Sequence, residues 1–368
     1  MELSLLLLAV TGLLITDKAK NSEGQLIPIH PVEDEPDLVN DETVDKKHTS
    51  FTSQELKDIH DLAKNISHSK GHITQSEEGD PEYRRSYMRK VIRETKFESL
   101  KFWFTKHSNS SGEYSVSDLQ DLEHLVHQYD TAIDFIKLGG LEFLLPLISH
   151  TDPEISSATF SVLTAAMQGN PTVQKYAEDA QILNYILKVL RNAHRRSTSS
   201  LYTLSSYIRN NPVSQLNFFR HKGLNILAGI LKSQVDNLKS KLKVLELLSD
   251  LASEIYMGPV TAYENQNQLA KLKRAFASGF SNLNLCEIIP KYLDYDDFVI
   301  LEKTIFAMNS VAPNVCSKDF KKPHVIKVVG QLLLKYEPKK KFWLTKHESE
   351  LRWIIWTELQ ALYDVIKM

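Results

Sequence analysis

The feature that most constrains the fold is a helical pattern that recurs about every 41 residues. Apolar helices with the sequences "LEFLLPLI", "LNYILKVL" and "LNILAGIL" begin at Leu141, Leu183 and Leu224. Asn-Pro steps that end at Pro171 and Pro212 keep the same spacing. In each copy the apolar residues recur at intervals of three and four, which predicts amphipathic helices and no alternating strand pattern.

A period of about 40 to 47 residues, with two or three helices in each copy, is the signature of armadillo and HEAT solenoids. One set of helices cannot bury its apolar face alone, so neighbouring sets stack and share a core. Further copies begin at Ser240 and Phe298, and the last helix caps the stack. The sequence therefore predicts an all-α fold, with an armadillo-like repeat domain over residues 116–368 and a helical lead-in over residues 81–115.

Two glycines precede equivalent apolar helices. Gly140 and Gly223 occupy the same place in their copies, where two helices meet sharply. Since glycine adopts positive φ at no steric cost, we expect both residues to take the left-handed conformation at that junction.

The N-terminal residues are typical of a secreted chain. The apolar run Leu3 to Ile15 is too short to span a bilayer, so residues 1–19 are interpreted as a signal peptide; the alternative is a buried N-terminal helix or an anchor. Residues 20–80 are acidic and poor in apolar residues, which predicts a disordered acidic tail. On a secretory route, the sequons at Asn65 and Asn109 become expected glycosylation sites.

Charge and cysteine content exclude several classes of protein. The 44 Lys and Arg residues against 46 Asp and Glu residues give a net charge of -2, so neither nucleic acid nor a membrane surface is an expected partner. The two cysteines, Cys286 and Cys316, exclude a disulfide-stapled scaffold and a cysteine-rich zinc site. A disulfide between them and two buried free thiols both remain open.

The sequence contains none of the usual catalytic motifs: it has no phosphate-binding glycine-rich loop, no G-x-S-x-G and no H-E-x-x-H. His124 and His127 lie on one helix, but two histidines make an incomplete metal site. The basic runs at His194 and Pro338 are interpreted as solvated faces. We therefore expect no enzyme activity, no cofactor and no metal.

Armadillo solenoids bind partners on the concave surface formed by the last helix of each repeat. The ladder of Trp and Asn that grips extended peptides is absent here, so a folded partner is the better match; the alternative is a solvated face without a role. Alignment of the repeats predicts the following residues on or beside the surface: Ser161, Ala165, Tyr202, Ser206, Arg209, Lys243, Glu246, Asp250, Phe306 and Ser310.

The segment "DLQDLEHLVHQYDTAIDFIKLGGLEFLLPLIS", from Asp118 to Ser149, resembles the first armadillo repeat of the Fes/Sil family of chaperone nucleotide exchange factors. The later "NPTVQKY" and "NPVSQLNFF" resemble the next two repeats of that family. The resemblance implies a monomeric co-chaperone that binds the ATPase domain of a 70-kDa heat-shock chaperone and promotes ADP release.

The signal peptide, acidic tail and sequons match the endoplasmic-reticulum branch of the family. The resemblance then implies the lumenal chaperone BiP as partner, a location in the endoplasmic-reticulum lumen, and a role in protein folding and translocation there. The alternative is a secreted armadillo-type adaptor with an unrelated folded partner.

Overall fold

The computed structural model describes residues 81–108, 114–192, 198–259, 262–263, 265–338 and 346–367. All of them belong to one compact unit, Asn65–Met368. The predicted signal peptide, the acidic tail, both sequons and the basic run at His194 lie outside the described residues. No helix within the described ranges is long and apolar enough to cross a membrane.

The described residues form helices and connecting turns, with no strand among them. The first eight α-helices are α1 (Pro81–Ser108), α2 (Val116–Val126), α3 (Tyr129–Lys137), α4 (Gly140–Leu144), α5 (Pro153–Met167), α6 (Pro171–Asp179), α7 (Ile182–Arg191) and α8 (Thr198–Ile208). The others are α9 (Pro212–Arg220), α10 (Gly223–Lys232), α11 (Leu238–Met257), α12 (Gln266–Asn282), α13 (Leu285–Ile288), α14 (Phe298–Val311), α15 (Ser317–Phe320), α16 (Pro323–Tyr336) and α17 (Lys346–Lys367).

From α3 onward the described helices fall into five sets of three. The third helices of these sets are α5, α8, α11, α14 and α17, and each packs against the next; α2 packs against α5 at the start of the series. Their inward sides join one core of buried apolar residues that runs from Leu100 to Ile366. The predicted all-α armadillo-like repeat fold is confirmed.

The Asn-Pro steps of the sequence begin the first helices of two sets. Asn170 and Asn211 are N-caps whose side chains accept from the backbone N–H groups of Val173 and Ser214. Proline follows as the first helical residue, where its missing N–H costs nothing. Aspartate and asparagine caps also begin α5, α11 and α14, at Asp152, Asn237 and Asp297. The recurrence in sequence is therefore a recurrence of helix starts.

The left-handed residues lie one position before the places predicted for them. Gly139 has φ 83°, and Lys222 has φ 58° at the equivalent position. Gly140 and Gly223 are instead the first residues of α4 and α10, so that prediction was wrong. A Cβ atom at either glycine would overlap the ring of a buried phenylalanine five residues earlier in the chain. Close packing, and not a positive φ, requires glycine there.

The lead-in helix α1 is tied to α2 by a buried histidine. His107 Nδ1 lies 2.7 Å from the Trp103 carbonyl oxygen, and Nε2 lies 3.1 Å from Asp118 Oδ1. Trp103 Nε1 donates to the Asp118 carbonyl oxygen at 2.9 Å. Asp118 also forms a capping box with Ser115 at the start of α2. The end of α1 and the beginning of α2 therefore share one hydrogen-bonded junction.

Cys286 and Cys316 form a disulfide with an S–S distance of 2.01 Å. It connects α13 to the π-helical turn Ala312–Cys316, and the chain between the two cysteines contains all of α14. Of the two alternatives that the sequence left open, the structure thus has the disulfide and not two buried free thiols.

Replacing Gly223 by alanine is expected to destabilise the fold by about 1–3 kcal/mol, because the new methyl group overlaps the Phe218 ring. Gly229 in the same helix is a matched control, since a Cβ atom there meets nothing within 4 Å. Gly229→Ala is expected to be neutral or to stabilise by up to about 1 kcal/mol through helix propensity. Urea unfolding followed by circular dichroism measures both; equal effects of the two substitutions would contradict the packing argument.

Acidification is expected to weaken the α1–α2 junction below pH 4. Partial burial raises the pKa of Asp118, but hydrogen bonds from Ser115 and His107 outweigh it and lower the pKa from 3.8 to about 2. A carboxylate whose pKa is lowered by folding stabilises the fold at pH values above its unfolded-state pKa. That contribution, about 2 kcal/mol at most, is lost as the pH falls from about 4 to about 2. Unfolding free energies of wild type and Asp118→Asn between pH 2 and 6 should converge at the acid end; a constant difference would refute this assignment.

Candidate functional site

The third helices place the predicted residues along one surface, here called the third-helix face and defined by the outward sides of α5, α8, α11 and α14. Tyr202 on α8 and Phe306 on α14 are its large apolar side chains, 40% and 37% exposed. Ser161, Ser206 and Ser310 are partly exposed, whereas Ala165 is buried and offers little surface. The face is therefore a mixed surface with two exposed aromatic groups.

A buried lysine connects two neighbouring repeats at the centre of this face. Lys243 is only 6% exposed, and its Nζ lies 4.5 Å from the centre of the Tyr202 ring. The same Nζ donates to Glu246 Oε1 at 3.1 Å, and Lys303 Nζ of α14 lies 3.9 Å from Glu246 Oε2. Burial of the ammonium group is offset by the ring and the carboxylate. Tyr202, Lys243, Glu246 and Lys303 thus form one cluster, the lysine cluster, across α8, α11 and α14.

A second charged cluster, the arginine cluster, is formed by Arg209, Asp250 and Glu254. Arg209 Nε lies 3.4 Å from Asp250 Oδ2 and 3.7 Å from Glu254 Oε1. Glu254 Oε2 also accepts from the Asn210 backbone N–H at 2.8 Å and from Gln215 Nε2 at 2.6 Å. The contacts connect the C-terminal end of α8 and the beginning of α9 to the last turns of α11.

Burial raises the pKa values of both carboxyl groups in the arginine cluster. For Asp250, Arg209 opposes this rise and Glu246 adds to it. For Glu254, the Asn210 N–H and then Arg209 oppose it. The guanidinium group therefore favours the charged form of both carboxylates, and at Glu254 it does so beside the Asn210 N–H.

Side-chain hydrogen bonds connect α14 to its neighbouring third helices. The hydroxyls of Ser249 and Ser310 are 2.7 Å apart, and Ser310 Oγ also donates to the Phe306 carbonyl oxygen at 2.9 Å. Asn309 Nδ2 donates to Glu358 Oε2 of α17 at 2.8 Å. These bonds fix the backbone beneath the exposed Phe306 ring.

The structure brings most of the predicted residues into contact and adds others. Tyr202, Lys243 and Glu246 meet, as do Arg209 and Asp250, whereas Ser161 on α5 joins neither cluster. Glu254 and Lys303 were missed. Glu254 follows Glu246 and Asp250 at steps of four residues on one helix, so its position was available from helical spacing. Nothing in the sequence indicated that Lys303 reaches Glu246.

The third-helix face combines exposed aromatic rings with charged groups that are paired with one another. Among the described residues no group of three or more His, Cys, Asp or Glu side chains is placed to hold a metal ion. His127, one of the two histidines considered as ligands, directly follows α2, and its Nε2 lies 3.8 Å from Glu123 Oε1 of that helix. Fixed charges beside exposed aromatic rings are typical of protein recognition.

Residues 131–361 match the family model described as the SIL1/FES1/HPBP1 C-terminal domain, which is more than half of the chain. The chain belongs to the SIL1/FES1/HPBP1 family. Its sequence is 31% identical over 242 residues to nucleotide exchange factor SIL1 of Xenopus laevis, covering 62% of this chain and 51% of that protein. It is 25% identical over 237 residues to the SIL1 protein of Mus musculus, with the same coverage.

Another relative, Hsp70 nucleotide exchange factor FES1 of Kluyveromyces lactis, is 30% identical over 135 residues, which are 35% of this chain and 46% of that protein. The chain spans about half the length of the curated SIL1 relatives from Xenopus laevis and Mus musculus. Among solved structures, a computationally designed armadillo repeat protein for modular peptide recognition has a TM-score of 0.51 at 14% identity, covering 73% of this chain and 98% of the designed one. That likeness supports the armadillo fold of this family member and nothing further.

Replacing Arg209 by methionine is expected to destabilise this family member by about 1–2 kcal/mol at pH 7, because two partly buried carboxylates lose their cation. The cost stays small because Arg209 itself is partly screened by solvent. The variant raises both carboxyl pKa values further, so the cost shrinks as the pH falls toward 4 and the groups are protonated. Arg274→Met, which removes a guanidinium bonded to the Ala270 carbonyl of its own helix, is the control. Thermal unfolding at pH 4 and pH 7 checks this; a pH-independent loss would count against the assigned role.

Proposed function

We propose that the chain is a nucleotide exchange factor for a 70-kDa heat-shock chaperone, and that it binds the ATPase domain of that chaperone with its third-helix face. Membership of the SIL1/FES1/HPBP1 family is the observation that carries this proposal. The relatives from Xenopus laevis and Kluyveromyces lactis are both named as nucleotide exchange factors. The function is co-chaperone activity without chemistry of its own.

The mechanism follows from linkage. A protein that binds the open state of a nucleotide cleft more tightly than the closed state shifts the chaperone toward the open state. ADP prefers the closed cleft, so the two ligands weaken each other by the same factor. ADP leaves, and ATP resets the chaperone.

The proposed contact residues are those that the alignment of the repeats predicts on the third-helix face, in its two clusters and beside them. Tyr202 and Phe306 supply the apolar anchors, since aromatic residues dominate the energy of protein interfaces. The charged groups hold the face in one conformation before binding, which reduces the entropy lost on association. The full set is Ser161, Tyr202, Ser206, Arg209, Lys243, Glu246, Asp250, Phe306 and Ser310.

We further propose that the partner is the lumenal chaperone BiP and that the protein acts as a monomer in the endoplasmic reticulum. Three observations favour this choice. The SIL1 relatives from Xenopus laevis and Mus musculus match 62% of the chain, whereas the FES1 relatives from Kluyveromyces lactis and Saccharomyces cerevisiae match 35% and 48%. The first residues are typical of a signal peptide, and Asn65 and Asn109 lie in sequons. The Cys286–Cys316 disulfide is typical of an oxidising compartment.

The decisive experiment measures ADP release. BiP loaded with fluorescent ADP is mixed with the purified protein, and a cytosolic 70-kDa chaperone is tested in parallel. Accelerated release from BiP alone supports the lumenal assignment, and equal acceleration of both supports only the exchange activity. An unchanged release rate with both chaperones would favour the adaptor with an unrelated partner.

Removing the exposed rings of the third-helix face is expected to weaken the interaction without unfolding the protein. Tyr202→Ala and Phe306→Ala should each lower the apparent affinity for the chaperone about 10-fold or more, as for a typical interface anchor. Tyr176→Ala on α6 is the matched control, since its ring is exposed to a similar degree on a first helix. Titration of the ADP-release rate measures all three; wild-type behaviour of both face variants would move the contact to another surface.

A further inference from the structure

Two large apolar side chains are exposed next to each other on α17, the last of the third helices. Trp353 is 55% exposed and Ile354 is 40% exposed. The Trp353 ring lies 5.6 Å from the ring of Trp356, which is partly buried against the core. These two exposed residues, here called the α17 patch, belong to none of the sites described above. Adjoining apolar groups that a soluble protein leaves exposed are a mark of an interaction site.

Hydrogen bonds between α14 and α17 show where this patch lies. Asn309 Nδ2 of α14 donates to the carbonyl oxygen and to Oε2 of Glu358 at 3.1 and 2.8 Å. Ile354 precedes Glu358 by about one helical turn, so it lies on the side of α17 that adjoins α14. Phe306 precedes Asn309 by about one turn in the same way. Equivalent helices of stacked repeats run in the same direction, so Phe306 and Ile354 are neighbours on the surface.

The third-helix face therefore continues onto α17, and its exposed apolar groups lie at two places. Tyr202 is on α8, whereas Phe306 and the α17 patch are at the C-terminal end of the series. Packed helices lie 8–10 Å apart, so the three steps from α8 to α17 span about 25–30 Å. That distance is comparable to the diameter of a small folded domain. One domain-sized partner can contact both places at once.

The surface between the two places favours such a domain over an extended peptide. An extended peptide of about nine residues also covers this distance. Its backbone would need side-chain hydrogen-bond donors and acceptors along the way, and the groups between the two places are Lys243, Glu246 and Lys303, which are paired with one another. A folded domain keeps its own backbone hydrogen bonds and needs only a complementary surface.

We propose that the α17 patch is the C-terminal end of the chaperone-binding surface, and that the ATPase domain of the chaperone contacts Tyr202 and this patch at the same time. The identity of the partner rests on the proposed function. The region of the partner that faces Phe306, Ile354 and Trp353 is apolar, because polar groups buried against these side chains would lose their hydrogen bonds. Tryptophan is among the residues that contribute most to interface energy, so Trp353 is the main anchor of the patch.

The test uses the full chain and the purified 70-kDa chaperone. Trp353→Ala and Ile354→Ala should each lower the apparent affinity, measured by titration of the ADP-release rate, about 10-fold. Trp353→Phe keeps an aromatic ring and should retain most of the affinity. Tyr185→Ala is the matched control, since Tyr185 is 38% exposed on the second helix α7, and it should bind like wild type. All four substitutions are at exposed positions, so their thermal unfolding should match that of wild type.

Fluorine NMR of the chain labelled with 5-fluorotryptophan separates direct contact from an indirect loss of affinity. The Trp353 signal is identified by its absence in Trp353→Phe. A soluble paramagnetic agent should broaden this signal in the free chain, and bound chaperone should protect it. The signal of Trp103, which is 5% exposed at the α1–α2 junction, should be insensitive to the agent in both states.

The outcomes distinguish this proposal from the proposed function. Accelerated ADP release by wild type, with wild-type affinity of both patch variants or with Trp353 unprotected in the complex, would overturn the proposed contact and leave the exchange activity standing. A wild-type chain that neither binds the chaperone nor accelerates release would reject the function and this contact with it. Sedimentation of the chain alone tests a second copy as occupant: a dimer that Trp353→Ala abolishes would also overturn the proposal.

Discussion

The side-by-side packing of the third helices is the constraint on which the rest of the structure depends. Each of these helices buries one side in the common core, and small hydroxyl residues meet between α5 and α8, between α8 and α11, and between α11 and α14. The hydroxyls of Ser157 and Ser199 are 2.8 Å apart, and those of Thr164 and Thr203 are also 2.8 Å apart. Small side chains allow close approach, and their hydroxyls satisfy one another where water is excluded. The remaining side of each helix then contributes to one continuous surface.

Much of this architecture could be predicted from the sequence because its determinants are local. The apolar spacing of three and four fixes a helix, and Asn-Pro or Asp-Pro steps fix where the helix begins. A period of about 41 residues over the first three copies indicates that equivalent helices stack. The same reasoning placed Tyr202, Glu246 and Asp250 on a common face, since the alignment of helix ends determines which residues share a side.

Contacts between repeats could not be predicted in this way. Lys303 reaches Glu246 from 57 residues away, and no local pattern specifies that approach. Likewise, Gly140 and Gly223 are glycines because of a phenylalanine ring on the preceding helix. In the copy between them, Ala177 replaces the phenylalanine and Ile182 replaces the glycine. The small residue of the pair is therefore on the first helix of that set, and the large residue is on the second. Shape complementarity of this kind depends on which two residues pack against each other, and a single sequence does not show that pairing.

The internal pairing of the charges on the third-helix face limits what they contribute to binding. Lys243 is committed to Tyr202 and Glu246, and Arg209 to Asp250 and Glu254, so a partner gains little Coulomb energy from groups that are already neutralised. To form ion pairs with these charged groups, a partner would have to break the internal contacts that offset the cost of burying them. In the proposed complex, affinity therefore comes mainly from apolar contact with the exposed rings, while the fixed charges determine the orientation that the partner accepts. A face built in this way favours a partner with a rigid, complementary surface over an extended peptide, whose charges would find few free counterparts.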